Sequence, residues 1–172
     1  MPDDDQTAIE RARQDAKVDL LEHLRSITPS RFEHVIRLLL DALGYEDVIV
    51  TGHSGDHGID VKSILRYRGV AEVPTFIQAK RYKAGNNVTP PAVGRLRGSL
   101  PVETNGFVIT TSDFSKQARE EARGPGLKPI ALINGADLVE LLVDLGIGVT
   151  KRTVEVIRFD PSKMDEDLSD GG

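Results

Sequence analysis

The sequence of 172 residues contains no cysteine. This absence excludes disulfide bonds, a thiolate nucleophile and a zinc site with cysteine ligands, and it suits a reducing cytosol. We therefore expect any metal site to use oxygen ligands. The sequence also lacks an apolar run of the roughly 18 residues that a membrane-spanning helix needs, and its first residues are acidic where a secretory signal is basic. We expect a cytoplasmic protein with no membrane partner.

The chain also lacks an overall positive charge, since its formal net charge is −5 at pH 7. That sum argues against nucleic acid binding, because phosphate contacts supply most non-specific affinity for DNA. The distribution argues the other way: residues 62–97 hold eight basic residues and one acid, and both ends of the chain are acidic. A basic patch can bind DNA while the rest of the surface repels it. The alternative is a solvated charged face that is balanced elsewhere in the fold.

The spacing of apolar residues divides the chain into three parts. Residues 1–28 predict a frayed start and an amphipathic helix that serves as a linker, residues 29–159 one globular domain, and residues 160–172 a disordered acidic tail. Ser30 and Glu33 form the expected capping box of the first domain helix, which Gly44 ends. The predicted strands are residues 47–51, 58–65, 73–80, 106–110, 129–133 and 153–159, and the later helices are residues 89–99, 115–123 and 136–145.

This order of elements predicts an α/β fold with a central mixed β-sheet flanked by helices. The early strands are close enough in sequence for hairpins, whereas the later strands are joined through helices. Residues 52–58 are rich in glycine but lack the Lys-Ser/Thr pair of a P-loop and precede a strand, so nucleotide hydrolysis is not expected.

Two neighbouring predicted strands carry polar side chains that can meet. Asp60 lies between Ile59 and Val61, so on a regular strand its carboxylate points away from the face of those two apolar side chains. Gln78 and Lys80 lie two residues apart and therefore share one face. If the two strands pair as a hairpin, the acid, the amide and the lysine converge.

These groups suit hydrolysis of a phosphodiester. Mg²⁺ prefers oxygen ligands, and the Asp60 carboxylate, the Gln78 side-chain carbonyl and the Ala79 backbone carbonyl are suitable donors, with Mn²⁺ as an alternative ion. Lys80 beside such an ion can hold the attacking water or stabilise charge on the phosphate.

The same residues belong to a set of ordered motifs. The chain resembles the catalytic domain of Mrr-type restriction endonucleases, within the PD-(D/E)xK nuclease superfamily, over roughly residues 18–159. The matching motifs are residues 30–33, 43–45, 51–60, 78–82 and 106–115 followed by Ala118.

The resemblance implies a restriction-endonuclease-like fold with an αβββαβ core, and Mg²⁺-dependent hydrolysis of DNA, in many members modified (methylated) foreign DNA. It implies Asp60 as the metal-binding acid, Gln78 in the place where the wider superfamily has Asp or Glu, and Lys80 as the catalytic lysine. It also implies Glu33 as a helix acid that reaches the site directly or through a metal-bound water. Cleavage of both strands needs two sites, so we expect a homodimer or higher oligomer on double-stranded DNA. We expect the DNA-reader domain to lie elsewhere, with this chain either a catalytic fragment of a longer protein or a module that a partner recruits.

Several residues carry alternative interpretations. Arg81, Lys83, Arg95 and Arg97 are the expected DNA contacts, and solvated loops are the alternative. Glu33 competes with its capping role. We expect Asp56 to shape a turn, His53 and His57 to lie exposed or bond locally instead of binding zinc, and residues 110–112 to cap a helix.

Two rival functions remain. The first is a nuclease-fold DNA-binding module without catalysis, which the neutral Gln78 favours. The second is a protein-interaction module, which the net negative charge favours.

Overall fold

The structure, a computed structural model, describes residues 3–52, 58–153, 155 and 157–169. The described residues form six helices and five strands. In chain order they are α1 (Asp3–Ser26), α2 (Pro29–Ala42), β1 (Glu46–Val50), β2 (Val61–Tyr67), β3 (Ala71–Lys80), α3 (Pro90–Ser99), β4 (Asn105–Thr110), α4 (Lys116–Ala122), β5 (Ala131–Ile133), α5 (Gly135–Asp144) and α6 (Pro161–Ser169).

The strands form one mixed sheet in the order β1-β2-β3-β4-β5. The pairs β1–β2 and β2–β3 are antiparallel, and the pairs β3–β4 and β4–β5 are parallel. The predicted central mixed sheet with flanking helices is confirmed. Strand β3 lies in the middle, where a hairpin meets the helix-linked strands.

Two apolar layers cover the sheet. Val61, Ile77 and Ile109 pack in the layer formed with α1, α2 and α5. Val108 packs in the other layer, formed with α3 and α4. Gln78 is paired with Val108, and paired strand residues share a face, so Gln78 and Lys80 belong to the α3–α4 face.

A tight turn joins β2 to β3. Arg68 and Gly69 have φ angles of 47° and 70°, and the Val70 N–H donates to the Tyr67 carbonyl at 2.8 Å. Two successive left-handed residues are the signature of the hairpin turn that matches strand twist. This turn sets the register in which Val61 faces Ile77.

The helix predicted as a linker packs on the domain. Leu24 of α1 is buried in the core, Lys17 pairs with Glu140, and Arg13 pairs with Asp144 at 2.8 Å. The second half of α1 therefore forms part of the packed body.

The prediction that Ser30 caps the first domain helix is wrong. The Thr28 hydroxyl accepts the Arg31 N–H at 3.3 Å, and α2 begins at Pro29. Proline favours the first helical position because it lacks the N–H that would be unpaired there, so the cap falls on the residue before it. Glu33 consequently does not occupy the third helical position of a capping box.

The C-terminal predictions also differ from the structure. Thr153, Glu155 and residues 157–159 lie outside the sheet, although a strand was predicted there. The predicted disordered tail contains α6, whose start is capped by Asp160 Oδ1 accepting from Ser162 N at 3.0 Å. The cap and the ion pair between Lys163 and Asp167 are local interactions that favour a helix, and the acidic composition did not indicate them. No helix of the described residues is long and apolar enough to cross a membrane.

Candidate active site

The chain changes face at Asp60. Ile59 packs in the α3–α4 layer and Val61 in the opposite layer, so the prediction that both share one face is wrong. The Asp60 N–H donates to the Ile77 carbonyl at 2.9 Å, and its Oδ2 accepts the Ala79 N–H at 2.7 Å. The carboxylate thus takes the place of a backbone carbonyl just before β2 begins.

Gln78 lies beside this carboxylate on β3. Its side chain is buried, at 2% exposure, and its Oε1 has no hydrogen-bond partner among the described residues. A buried carbonyl without a partner costs about 1–3 kcal/mol, and Gln78 Oε1 is one of three such side-chain atoms among the described residues, with Ser63 Oγ and Arg81 Nε. Gly58, at a φ of +84°, leaves space for the amide, since a Cβ there would lie 2.6 Å from Gln78 Nε2.

Lys80 is the last residue of β3 and lies two positions after Gln78 on the same face. Its side chain is half-buried, and no ion pair to its ammonium group is found in the described part of the chain. The structure therefore places Asp60, Gln78, Ala79 and Lys80 next to one another at one end of β3, and their roles in a site stay predictions.

The structure buries Glu33 on α2. That helix packs against the sheet face opposite the face of Gln78 and Lys80. The prediction that Glu33 completes a capping box is wrong. The prediction that Glu33 is an acid of the site stays a prediction.

The predicted DNA contacts divide into two groups. Lys83 and Arg95 are exposed. Arg81 is half-buried and donates to the Arg25 carbonyl at 2.6 Å. Arg97 is 12% exposed, and its guanidinium bonds the Lys128 carbonyl at 2.9 Å and the Glu121 carboxylate. Arg97 therefore links α3 to α4, and its guanidinium is not a candidate DNA contact.

The basic stretch is also partly neutralised at Arg66. Its guanidinium donates hydrogen bonds to the carboxylates of Glu72, Glu46 and Asp47, and these bonds raise the pKa of Arg66 above the ordinary value. The excess of positive charge counted along residues 62–97 is thus smaller on the folded surface.

Sequence reasoning missed the role of two threonines at the end of β4. Thr110 Oγ1 donates to the Lys80 carbonyl at 2.7 Å, and Thr111 Oγ1 bonds the backbone of Tyr82. The expectation that they cap a helix is wrong, since Ser115 caps α4. The available signal was a pair of threonines ending a buried strand that runs parallel to the strand of Lys80.

Asp113 lies two residues after Thr111, and three hydrogen-bond donors hold its carboxylate. Burial opposes ionisation of its carboxyl, but hydrogen bonds from the Phe114 N–H at 2.8 Å and Asn134 at 3.2 Å, with the Arg119 ion pair, outweigh it. The pKa of Asp113 therefore lies below its ordinary value.

The remaining candidate positions divide into residues that the structure describes and residues that it does not. His53, Asp56 and His57 lie outside the described residues. Within the described ranges, no group of three His, Cys, Asp or Glu side chains could hold a metal ion, so a metal bound by Asp60 would also need amide or backbone oxygens. A cavity of about 770 Å³ opens elsewhere, beside the start of β4 and β5, and its lining includes none of Asp60, Gln78 and Lys80.

The family model and the curated protein that match this chain are both described as restriction enzymes. A family model described as a restriction endonuclease, Mrr_cat, matches residues 24–142. The type IV methyl-directed restriction enzyme EcoKMrr of Escherichia coli (strain K12) is 35% identical over 167 residues, covering 92% of this chain and 53% of that protein. The chain thus spans about half the length of the curated relative it matches.

Two solved structures share the fold. The MspJI restriction endonuclease in complex with a 27-mer oligonucleotide has a TM-score of 0.63 and 24% identity, over 74% of this chain and 31% of that chain. The DNA modification-dependent restriction endonuclease AspBHI has a TM-score of 0.65 and 25% identity, over 91% and 39% of the two chains. The restriction-endonuclease-like fold is confirmed, and the chain belongs to the Mrr_cat family of restriction endonucleases.

Proposed function

We propose that this chain is a metal-dependent DNA endonuclease domain, with Mg²⁺ as the expected ion and Mn²⁺ as an alternative. Restriction endonuclease domains generally use divalent metal ions. The observation that carries the proposal is the buried, unpartnered Oε1 of Gln78 beside the Asp60 carboxylate. Because an orphaned buried oxygen is costly, its retention next to a carboxylate is explained by a cation that both oxygens bind.

The donor set fits a hard cation. Asp60 Oδ2 accepts the Ala79 N–H, and an ionised carboxylate can accept about four such bonds or coordinate a cation in addition. The N–H and C=O of one strand residue point toward the same side, so the Ala79 carbonyl also faces the start of β2. Three protein oxygens leave coordination positions for water and phosphate. When bound, such an ion polarises the phosphate and makes water more acidic.

Lys80 supplies the positive group. Its backbone carbonyl is fixed by Thr110 Oγ1 at 2.7 Å, so the side chain starts from a defined point beside Gln78. There the ammonium group orients water for attack or stabilises charge that develops on the phosphate oxygens.

DNA is the proposed partner. The MspJI structure contains an oligonucleotide, EcoKMrr is described as methyl-directed and AspBHI as modification-dependent. We propose that this domain cuts modified double-stranded DNA as a homodimer or higher oligomer in the cytoplasm, and that a separate reader domain selects the sequence. Exposed Lys83 and Arg95 are the proposed phosphate contacts.

A plasmid-nicking assay with Mg²⁺ or Mn²⁺ tests the proposal. We expect cleavage by the unaltered chain, abolition by EDTA, and a loss of at least about 100-fold in Lys80→Ala and Asp60→Ala. Lys116→Ala is the matched control, because this lysine side chain is 85% exposed on α4 and should leave cleavage unchanged. Equal cleavage by all four chains, or none by any, would defeat the proposal.

The second candidate is a DNA-binding module without catalysis, and the neutral Gln78 is the observation that favours it. It predicts DNA affinity that falls steeply with salt, together with no metal-dependent nicking. A protein-interaction module predicts neither result.

A further inference from the structure

We propose that Thr111 is a positioning residue that holds residues 80–82 in place for catalysis, an inference that rests on the proposed function. Thr111 is fully buried. Its hydroxyl accepts the Tyr82 N–H at 2.8 Å and donates to the Tyr82 carbonyl at 2.7 Å. One hydroxyl thus bonds both polar groups of one backbone unit just beyond the end of β3.

The backbone of Lys80, the proposed catalytic lysine, is held by residues at the same end of β4. The Lys80 carbonyl accepts from Thr110 Oγ1 at 2.7 Å and from the Thr111 N–H at 3.3 Å. Strand β3 ends at Lys80, so these side-chain bonds continue the attachment to β4 after the regular ladder stops. The backbone is held on both sides of Arg81, and the Lys80 side chain has a fixed origin.

Helix α1 supports Thr111 from behind. Arg25 Nε donates to the Thr111 carbonyl at 2.9 Å, and Arg81 donates to the Arg25 carbonyl at 2.6 Å. These two hydrogen bonds therefore link the end of α1 both to Thr111 and to the residue that follows Lys80. Gly135 completes the packing, since a Cβ there would lie 2.8 Å from the Thr111 carbonyl oxygen. The position of the catalytic strand end thus depends on the end of α1.

Placement matters because a displacement of about 1 Å in a catalytic group can lower a rate by about 100-fold. Thr111→Val keeps the shape of the side chain and removes the hydroxyl, whereas Thr111→Ser keeps the hydroxyl. Three readouts are compared: the single-turnover cleavage rate at saturating DNA and Mg²⁺, the dissociation constant for DNA, and hydrogen exchange of the Tyr82 amide.

We expect Thr111→Val to cleave about 10- to 100-fold more slowly while its affinity for DNA changes less than about 2-fold. The Tyr82 amide should exchange faster in Thr111→Val, with unchanged exchange of the Leu132 amide in β5. Thr111→Ser should restore both the rate and the protection of Tyr82. If Thr111→Val does not fold, Thr110→Val removes the bond to the Lys80 carbonyl and makes the same test, with Thr110→Ser as its rescue.

Cleavage by the valine variant at the rate of the unaltered chain, or equal losses in the valine and serine variants, would overturn the positioning role and leave the proposed function intact. No cleavage by the unaltered chain, with Lys80→Ala indistinguishable from it, would overturn the proposed function and the positioning role together.

Discussion

The Asp60 carboxylate accepts the Ala79 N–H at 2.7 Å, where a regular antiparallel strand would offer a backbone carbonyl. This bond joins the acid to the backbone N–H of the residue that lies between Gln78 and Lys80. The hydrogen bond needs only an oxygen acceptor at residue 60, whereas the proposed metal site needs a negative charge there. The two requirements can therefore be separated by mutation.

Asp60→Asn retains a side-chain carbonyl for the Ala79 N–H and removes the charge. We expect metal-dependent cleavage to fall at least about 100-fold while the melting temperature stays within about 3 °C of the unaltered chain. Asp60→Ala should lose both cleavage and stability. Plasmid cleavage and thermal unfolding followed by circular dichroism check both statements, and retained cleavage in Asp60→Asn would contradict the metal-binding role.

Gln78→Met should stabilise the protein and abolish cleavage. Methionine fills a similar volume without the buried oxygen that lacks a partner, so the free energy of unfolding should rise by about 1–2 kcal/mol in metal-free buffer. Urea unfolding of the two chains measures the difference. A lower stability of Gln78→Met would show that the amide oxygen is satisfied in solution.

Gly58→Ala should displace the Gln78 amide, because the new Cβ would lie 2.6 Å from Nε2. Gly69→Ala is the matched control: its φ of +70° imposes a similar backbone cost, but no atom lies within 4 Å of the added Cβ. Both variants should lose about 1 kcal/mol of stability, and only Gly58→Ala should lose cleavage. Equal cleavage by the two variants would argue against a site at Gln78.

Arg95 and Arg97 should differ in DNA binding although they lie on one helix. Arg95→Ala should lower the steepness of log affinity against log salt by about 0.9, as expected for one lost phosphate contact. Arg97→Ala should leave that slope unchanged and destabilise the fold by about 1–3 kcal/mol, because Glu121 and the Lys128 carbonyl lose a buried donor. Fluorescence anisotropy over a range of salt measures the slopes, and a reversed result would place Arg97 on the DNA.

Asp113 should make stability sensitive to acid. Its pKa is depressed in the folded state, so its contribution is present above the unfolded pKa of about 3.9 and is lost as the pH falls through the lower folded value. Asp113→Asn should therefore be less stable than the unaltered chain at pH 7, and the deficit should shrink below about pH 4. Urea unfolding across this range checks the trend, and a deficit that is constant with pH would contradict it.

The mixed sheet and the position of Asp60, Gln78 and Lys80 at one strand end could be predicted, because both depend on local periodicity and short sequence separation. The change of face at Asp60 could not be predicted. It arises because the Asp60 side chain, in place of a backbone carbonyl, accepts the N–H of Ala79, which lies 19 positions away in the sequence. A period of two assumes a regular ladder, and the ladder stops there.

The structural roles of Thr111 and Arg97 were hidden for a related reason. The Thr111 hydroxyl meets a residue 29 positions away, and Arg97 meets Glu121 across 24 positions. A count of charges along the chain assigns Arg97 to a basic surface, whereas packing of α3 on α4 decides its partner. Such pairings have no short-range signature in the sequence.

The β2–β3 hairpin also has a consequence for how the protein folds. Every proposed metal donor lies within it or at its open end, so we expect closure of one tight turn to bring the donors together before the parallel pairing with β4 is made. A newly made chain can thus hold its acid and amide oxygens near one another early. The Lys80 carbonyl is held by residues at the end of β4, so we expect the proposed metal donors to be in place before the backbone of the proposed catalytic lysine is fixed.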